Sequence, residues 1–275
     1  MAATSPDTPE SPSERRAAAF FDVDKTVLAG NTTYAYGKQF YRHGLITPTQ
    51  VLALSLAQTT FMRHGLSSEA MDTQRDKLLA MVAGWDVTEV RELISRTLHE
   101  VIIPAIYEEA RELIAWHRLA GRDVVLVSAS TSDLIDPIAA ELGADHVIAS
   151  ELDIADGTYT GHILHYNKGE EKVAAIHALA AEEGYDLAES YAYSDSATDI
   201  PMLASVGHPV AVNPDRELRS HANETGWTIL TFTNPIPLFP HPARTGLIAG
   251  ATAAGIVAAV LGVRRFRHRS EQSTS

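Results

Sequence analysis

The sequence predicts an α/β protein with a Rossmann-like parallel sheet core, an inserted helical cap and a β-hairpin at the sheet edge. Three observations lead to this prediction. Short apolar runs that end in polar residues alternate with longer helical patterns. A long helical stretch separates the first run from the second, and an Asp-Gly pair lies among β-branched and aromatic residues. At 275 residues the chain is long enough for one such core with an elaboration.

The candidate central strands are four apolar runs, each followed by a polar side chain. They cover residues 17–21, 124–127, 191–193 and 209–212. Helical spacing between and after them predicts core helices over residues 104–120, 132–142, 170–183 and 200–206. The Asp156-Gly157 pair within residues 152–164 predicts the edge hairpin, because both residues tolerate the left-handed backbone of a tight turn.

About a hundred residues lie between the first and second candidate strands, far more than the dozen or so that a crossover requires. Their apolar spacing near 3.6 residues predicts a helical insert rather than strands. The predicted helices cover residues 31–43, 48–63, 67–83 and 87–100. Large side chains of this insert fit packing inside the cap better than a substrate pocket; they are Tyr34, Tyr36, Phe40, Tyr41, Phe61, Met62 and Trp85.

The predicted domain organisation follows from these elements. A disordered leader of residues 1–16 precedes a catalytic core of residues 17–30 and 104–240, and the helical cap takes residues 31–103. The formal net charge of −13 argues against a nucleic-acid partner, and the absence of cysteine excludes disulfides and thiolate chemistry. We therefore expect a cytoplasmic catalytic domain.

The C-terminal region has a different composition. Residues 245–263 carry no charge and are mostly Ala, Gly, Leu, Ile and Val, and the basic tail of residues 264–275 follows. A helix over residues 247–263 would be ~25 Å long, slightly short of the ~30 Å hydrocarbon core of a bilayer. Three interpretations remain open: a tail anchor, a helix lying on the membrane, or an ordinary solvated helix. We favour membrane association through this segment.

Polar residues at the strand ends carry the predicted chemistry. Asp22 and Asp24 follow the first strand, and two carboxylates spaced by two residues can face one pocket. One carboxylate can attack phosphorus while the other protonates the leaving oxygen and then activates water. Read alone, the pair also fits two solvated acids in a turn.

Further strand ends supply groups that suit a phosphorylated substrate and a cation. Ser128 offers a hydroxyl at a strand-to-helix turn, although serine is common there. Asp195 and Asp199 place two hard oxygen ligands near the third strand, as Mg²⁺ requires, or form an ordinary helix start. Lys172 opens a helix and could balance these acids, with Lys168 as the rival.

The order and spacing of these motifs resemble the haloacid dehalogenase-like superfamily, in particular its phosphoserine-phosphatase-like branch. The resemblance covers residues 17–231 and implies a phosphatase with an aspartyl-phosphate intermediate and Mg²⁺. It implies a nucleophile at Asp22 and an acid/base at Asp24, and it makes Ser128 and Lys172 the phosphate ligands. The implied metal ligands are Asp22, Asp24, Asp195 and Asp199. It also implies that Thr26 forms a hydrogen bond within its loop.

The identity of the substrate, and the choice between an enzyme and a binding protein, remain open at this point. A glutamate that reads the substrate ammonium in phosphoserine phosphatases is matched here by Asn31, so the resemblance implies a small phosphorylated substrate without naming it. A non-catalytic regulator that binds a phosphorylated ligand at the membrane is the competing class. Asp24 favours the enzyme, because a binding module needs no proton donor.

Overall fold

The computed structural model describes residues 16–51 and 68–233. Seven strands form one sheet: β1 (Ala18–Asp22), β2 (Asp123–Thr131), β3 (His146–Ala155), β4 (Thr158–His165), β5 (Tyr191–Ser194), β6 (His208–Val212) and β7 (Thr228–Leu230). Their order is β4-β3-β2-β1-β5-β6-β7, and every neighbouring pair is parallel except β3 and β4. The predicted α/β, Rossmann-like sheet is confirmed.

All four candidate strands are present, and the structure adds strands that the pattern did not predict. The first half of β3 pairs in parallel with β2, so β3 is both a sheet strand and one arm of the hairpin. The three-residue β7 is too short to produce a periodic signal. The hairpin turn at Asp156 and Gly157 is confirmed, and both residues have positive φ, as a two-residue turn of this type requires.

The α-helices with both ends in the described residues fall into two groups. The insert contains α1 (Thr32–Arg42), α2 (Ser68–Val82) and α3 (Val87–Thr97). The core contains α4 (Glu108–Leu119), α5 (Ser132–Leu142), α6 (Glu170–Glu183), α7 (Ile200–Ala204) and α8 (Arg216–Thr225). The described part of the insert is therefore helical, as predicted, and the helix predicted over residues 48–63 lies mostly outside the described residues.

Helix boundaries differ most from prediction around the end of the insert. A π-helical turn, Leu98–Ile102, and a 3₁₀ turn, Ile103–Ala105, follow α3. Ile106 and Tyr107 then have extended backbone, so α4 begins at Glu108 rather than at residue 104. Pro104 lies in the 3₁₀ turn, where its missing N–H costs little. The chain thus returns to the core through an extended link.

The two links between core and insert lie side by side. Leu28 on the outgoing link forms an antiparallel bridge with Ile106 on the returning one. The Ala29 N–H donates to the Ala105 carbonyl at 2.9 Å, and the Tyr107 N–H donates to the Val27 carbonyl at 2.9 Å. These bonds join the start of the insert to its end, next to the carboxyl end of β1.

The edge hairpin also contacts the insert. The Gly84 N–H donates to the Tyr159 carbonyl at 2.8 Å, and the Tyr159 N–H donates to the Trp85 carbonyl at 3.1 Å. A side-chain link supplements these backbone bonds, since Asp133 of α5 accepts from Arg91 of α3 at 2.6 Å and from the Tyr159 hydroxyl at 2.9 Å. The hairpin and α5 therefore hold the insert against the core.

Apolar packing agrees with the sequence pattern in most places. Phe20 and Phe21 are fully buried in β1, and each such burial contributes roughly 1.5–3 kcal/mol. In the insert, Phe40 contacts the rings of Tyr36 and Trp85, as the packing interpretation predicts. Tyr41 is an exception, because 45% of it is exposed. The side chains of Tyr34, Phe61 and Met62 lie outside the description.

Several predicted features fall on residues that the structure does not describe. The leader, residues 1–16, lies outside the description except for Arg16, which forms a bridge with Tyr185 and an ion pair with Asp123. The segment 245–263 and the tail 264–275 lie outside it entirely. Within residues 16–51 and 68–233, no helix combines the length and the apolar character needed to cross a membrane.

Candidate active site

Strand register brings the predicted acids to one edge of the sheet. Asp22, the last residue of β1, lies beside Val127 of β2, so Ser128 is at the adjacent level. On the other side Phe21 pairs with Tyr193 of β5, which places Ser194 and Asp195 next to Asp22. Because all three strands are parallel, their carboxyl ends form one site, where ligands of such sheets bind.

Lys172 lies at the centre of this site. Its Nζ is 2.7 Å from Asp22 Oδ1 and 3.0 Å from Asp199 Oδ2. Asp199 Oδ2 also accepts the Ser194 hydroxyl at 2.7 Å. All four side chains are buried, so the preferred lysine of the sequence analysis is the one that reaches the acids. Lys168 lies four residues earlier, before α6 begins, and is half-buried.

The buried site has more negative than positive charge. Burial raises the pKa of Asp22 to about 8; Lys172 opposes this shift, and the nearby Asp199 and Asp195 carboxylates add to it. Burial also raises the pKa of Asp195 to about 7. Its nearest cation is the mostly exposed Lys25, whose Nζ is 4.0 Å away. Burial lowers the pKa of Lys172, but Asp22 and Asp199 outweigh this and raise it overall, so Lys172 stays charged.

Asp24 forms its hydrogen bonds with the start of the insert and with β2. Its Oδ1 accepts the Thr32 N–H at 2.8 Å, and its Oδ2 accepts Asn31 Nδ2 at 3.1 Å and Ser130 Oγ at 3.2 Å. Burial raises the pKa of Asp24, while the bonds from Thr32 and Ser130 oppose the shift. The two predicted catalytic acids therefore have separate surroundings, as different roles require.

Ser128 is held by residues that the sequence analysis missed. Its hydroxyl accepts the Ser130 N–H at 3.1 Å; both residues lie inside β2, which continues to Thr131 rather than ending at residue 127 and shifts its register with β3 there. Asn167 is fully buried, and its Nδ2 donates to the carbonyls of Ser128 at 2.9 Å and Ile148 at 3.0 Å. Alternation along β2 could have indicated Ser130, because residues two apart share a face. Asn167 has no comparable signal in the sequence.

One expectation for the first motif is wrong. The Thr26 side chain is buried, but its hydroxyl forms no hydrogen bond with any described residue. The loop is held instead by backbone bonds, in which Val27 and Leu28 donate to the Val23 carbonyl at 3.0 and 2.9 Å. The order of this loop therefore comes from its backbone.

The cation-binding potential of the site rests on charge. The buried Asp22 and Asp199 share the Lys172 ammonium group, and the buried Asp195 lies 4.0 Å from the mostly exposed Lys25. Carboxylates of this kind are the ligands that Mg²⁺ prefers, and a divalent cation would balance the excess. The donor set fits the predicted metal.

A second group of acidic and histidine side chains lies at the opposite edge of the sheet. Asp123, His146 and Glu183 place their ligand atoms within 4.8 Å of one another. The Arg16 guanidinium already forms ion pairs with Asp123 and Glu183. The Arg16 guanidinium therefore already supplies positive charge to that group, and the group lies apart from the predicted site.

Comparisons with known proteins agree with this geometry. The family model for haloacid dehalogenase-like hydrolases matches residues 19–204. A probable phosphatase of Mycobacterium tuberculosis is 47% identical over 96% of this chain and 95% of its own length. A phosphoserine phosphatase of the same organism is 36% identical over 93% of this chain and 83% of its own. A histidinol-phosphatase of Neisseria meningitidis is 31% identical over 78% of this chain and 98% of its own.

Solved structures show the same fold. A Bordetella pertussis protein of unknown function superposes with a TM-score of 0.70 at 30% identity, over 78% of this chain and 98% of that one. A phosphoserine phosphatase holding an analogue of its phospho-aspartyl intermediate gives a TM-score of 0.59 at 20% identity, over 80% and 95% of the two chains. The chain therefore belongs to the haloacid dehalogenase-like hydrolase family, and within it is a phosphatase of the phosphoserine-phosphatase-like kind.

Proposed function

We propose that this phosphatase hydrolyses a small phosphate monoester with Mg²⁺, through an aspartyl phosphate formed on Asp22. The observation that carries the proposal is the buried contact of Lys172 with Asp22 and Asp199, beside Asp195. A lysine so placed can hold a phosphoryl oxygen next to the attacking carboxylate. Asp24 accepts hydrogen bonds from Thr32 and Ser130, and we assign it the protonation of the leaving group.

The proposed reaction has two steps. In the first step, a carboxylate oxygen of Asp22 forms a bond to phosphorus as the bond between phosphorus and the ester oxygen breaks. Asp24 donates a proton to the departing ester oxygen. In the second, water attacks phosphorus, Asp24 takes a proton from it, and the bond between phosphorus and Asp22 breaks to release inorganic phosphate. Lys172 and Ser128 hold the phosphoryl oxygens in both steps.

Asp22 and Asp195 are the proposed principal ligands of the metal. When bound, Mg²⁺ offsets negative charge on the phosphoryl group and on the buried acids. Of the other two residues of the predicted ligand set, Asp199 binds Lys172 and Ser194, and Asp24 binds the start of α1. We assign Asp199 the further role of orienting Lys172.

The proposed substrate class is a small alkyl phosphate. Relatives of this chain are named for phosphoserine and histidinol phosphate, which are both esters of primary alcohols. Alkoxides leave poorly without a proton, and Asp24 supplies one. Asn31 contributes no charge at the position beside Asp24, so we do not assign phosphoserine itself.

Replacing the nucleophile tests the proposal. Asp22→Asn should lower Mg²⁺-dependent release of phosphate from 4-nitrophenyl phosphate by at least ~10³-fold, because an amide cannot attack phosphorus. The matched control is Asp145→Asn, since Asp145 accepts only from a backbone N–H near the start of β2 and asparagine keeps that acceptor. Turnover that persists in Asp22→Asn would refute the mechanism.

Beryllium fluoride separates the enzyme from the competing regulator. A catalyst of this kind should form a Mg²⁺-dependent beryllofluoride adduct on Asp22, detectable by ¹⁹F NMR and absent in Asp22→Asn. A protein that hydrolyses no ester and forms no adduct would instead be a binding module. Membrane association of residues 245–263 remains a separate sequence-based prediction.

A further inference from the structure

The catalytic acid is held by two elements that are distant in the chain. Asp24 accepts hydrogen bonds from Thr32, at the start of the first cap helix, and from Ser130, near the end of β2. Thr32 is fully buried, although it belongs to the insert rather than to the core. Core and insert therefore meet at this carboxylate.

The backbone of α1 is completed by Asp24. A residue just before a helix normally caps it by accepting one of the first free N–H groups through its side chain. Asn31 is at that position, because its carbonyl accepts the Ala35 N–H at 3.0 Å, and its side-chain amide donates to Asp24 at 3.1 Å. Asp24 Oδ1 accepts the Thr32 N–H at 2.8 Å. The orientation of Asp24 is thus tied to the position of α1.

The hydroxyl groups of Thr32 and Ser130 form a pair around the other oxygen of Asp24. The two hydroxyl oxygens are 2.7 Å apart, and they are 3.3 and 3.2 Å from Asp24 Oδ2. The pair therefore restrains the Oδ2 side of Asp24 from two elements, the first cap helix and β2.

We propose that Thr32, through the hydroxyl pair it forms with Ser130, is the positioning residue that aims Asp24 at the leaving oxygen of the substrate. The inference rests on the proposed function and deepens it. In the first step the proton passes from Asp24 to the ester oxygen as the bond between that oxygen and phosphorus breaks, and the hydroxyl pair keeps the carboxyl group of Asp24 in place. In the second step Asp24 regains a proton from water. Thr32 itself touches no reacting atom.

A leaving-group series distinguishes this role from simple packing. Protonation matters little for 4-nitrophenolate, a good leaving group, and matters more for unsubstituted phenolate. We therefore measure kcat/KM, which reports the steps up to loss of the leaving group, with Mg²⁺ on a series of phenyl phosphates that runs from 4-nitrophenyl to unsubstituted phenyl. Misplacement of Asp24 should steepen the dependence of kcat/KM on the leaving group, whereas general damage to the fold should lower kcat/KM equally for all esters.

Thr32→Val removes the hydroxyl and keeps the backbone N–H and the shape of the side chain. We expect kcat/KM for phenyl phosphate to fall about tenfold further than kcat/KM for 4-nitrophenyl phosphate. Thr32→Ser keeps a hydroxyl and should restore the shallow dependence of the unsubstituted protein to within about threefold. Ser130→Ala provides a second variant should Thr32→Val fold poorly, and it should steepen the series in the same way.

Each result decides the matter. A steeper series in Thr32→Val or Ser130→Ala, with rescue by Thr32→Ser, supports the inference. Equal losses on every ester, or no loss, overturn it while leaving the proposed function intact. Failure of the unsubstituted protein to hydrolyse any ester in the series would overturn the proposed function, and this inference with it.

Discussion

At the scale of single residues, Lys172 decides whether the acids of the site can be buried together. Its side chain is only 4% exposed and contacts Asp22 and Asp199 at 2.7 and 3.0 Å. Breaking a buried ion pair by removing one partner is strongly destabilising, because the remaining charge stays uncompensated. The residue that binds phosphate in the proposed mechanism is thus also needed for stability without substrate.

Lys172→Met should lower the free energy of unfolding by about 3–5 kcal/mol in the absence of divalent metal, since Asp22 and Asp199 lose their counter-charge. The measurement is urea unfolding in EDTA. Added Mg²⁺ should recover more stability in this variant than in the unsubstituted protein, because it supplies the missing charge. Lys77→Met, at an exposed lysine of α2, is the control and should change little. Equal stability of the two variants would contradict this account of the site.

The sequence indicated the reactive residues better than the residues that position them. Asp22, Asp24, Ser128, Asp195 and Asp199 stand next to apolar runs whose periodicity marks strand ends. No apolar run next to Thr32 or Asn167 indicates its role, because that role depends on which other elements lie beside the residue in the fold. Ser130 was within reach of the alternation argument, being two residues after Ser128.

At the scale of secondary structure elements, the hairpin of β3 and β4 packs directly on α2 of the insert. Gly161 in β4 has φ of +83°, and a Cβ there would lie 2.8 Å from Ala83 Cβ and 3.1 Å from the Leu79 carbonyl oxygen. A glycine is needed at this position for both its backbone and its neighbours. The contact keeps the insert in place over the site.

Gly161→Ala should therefore destabilise the protein and shift the insert. A matched control is Gly157→Ala in the hairpin turn, where φ is +76° and a Cβ would meet nothing within 4 Å. Both variants pay the backbone cost of a positive φ, so the difference isolates the steric clash. We expect Gly161→Ala to be less stable than Gly157→Ala by about 1–3 kcal/mol in chemical unfolding. A difference near zero would mean that the hairpin moves freely on α2.

The elements themselves were largely predictable. Helices α5 and α6 match the predicted ranges, and each ends at a glycine with left-handed backbone, Gly143 and Gly184. The start of α4 was misplaced by four residues, since the apolar pattern runs on through the 3₁₀ turn, Ile103–Ala105, and cannot show the extended link after it. The short β7 depends on pairing with β6 rather than on a pattern of its own.

At the scale of the whole molecule, a buried histidine couples global stability to pH. His117 on α4 is fully buried; it accepts a bond from Arg122 Nε at 2.8 Å and its Nε2 lies 2.7 Å from the Tyr193 hydroxyl. Burial lowers the pKa of His117 to about 4, and the Arg122 charge adds to the shift. The folded protein thus keeps this ring neutral, and the unfolded chain binds its proton near pH 6.5.

The contribution of His117 to stability should be complete above pH 6.5 and should decline as the pH falls towards 4, where only the unfolded chain is protonated. His117→Gln should weaken this decline by about 3 kcal/mol at pH 4, because the pKa falls from 6.5 to about 4 and one pKa unit corresponds to about 1.4 kcal/mol. Urea unfolding of both proteins at several pH values measures the difference. His177→Gln, at an exposed histidine of α6, should leave the decline unchanged. A decline of the same size in His117→Gln would show that other groups cause it.

The sequence by itself determined the fold class, the helical insert and the identity of the acids at the strand ends, because periodicity and strand-end position are properties of neighbouring residues. Only the tertiary structure decided how those acids are used. Lys172 meets Asp22 across 150 positions, and Thr32 meets Ser130 across 98. Such contacts depend on strand register and on how the insert packs against the core, and local sequence patterns contain no information about either.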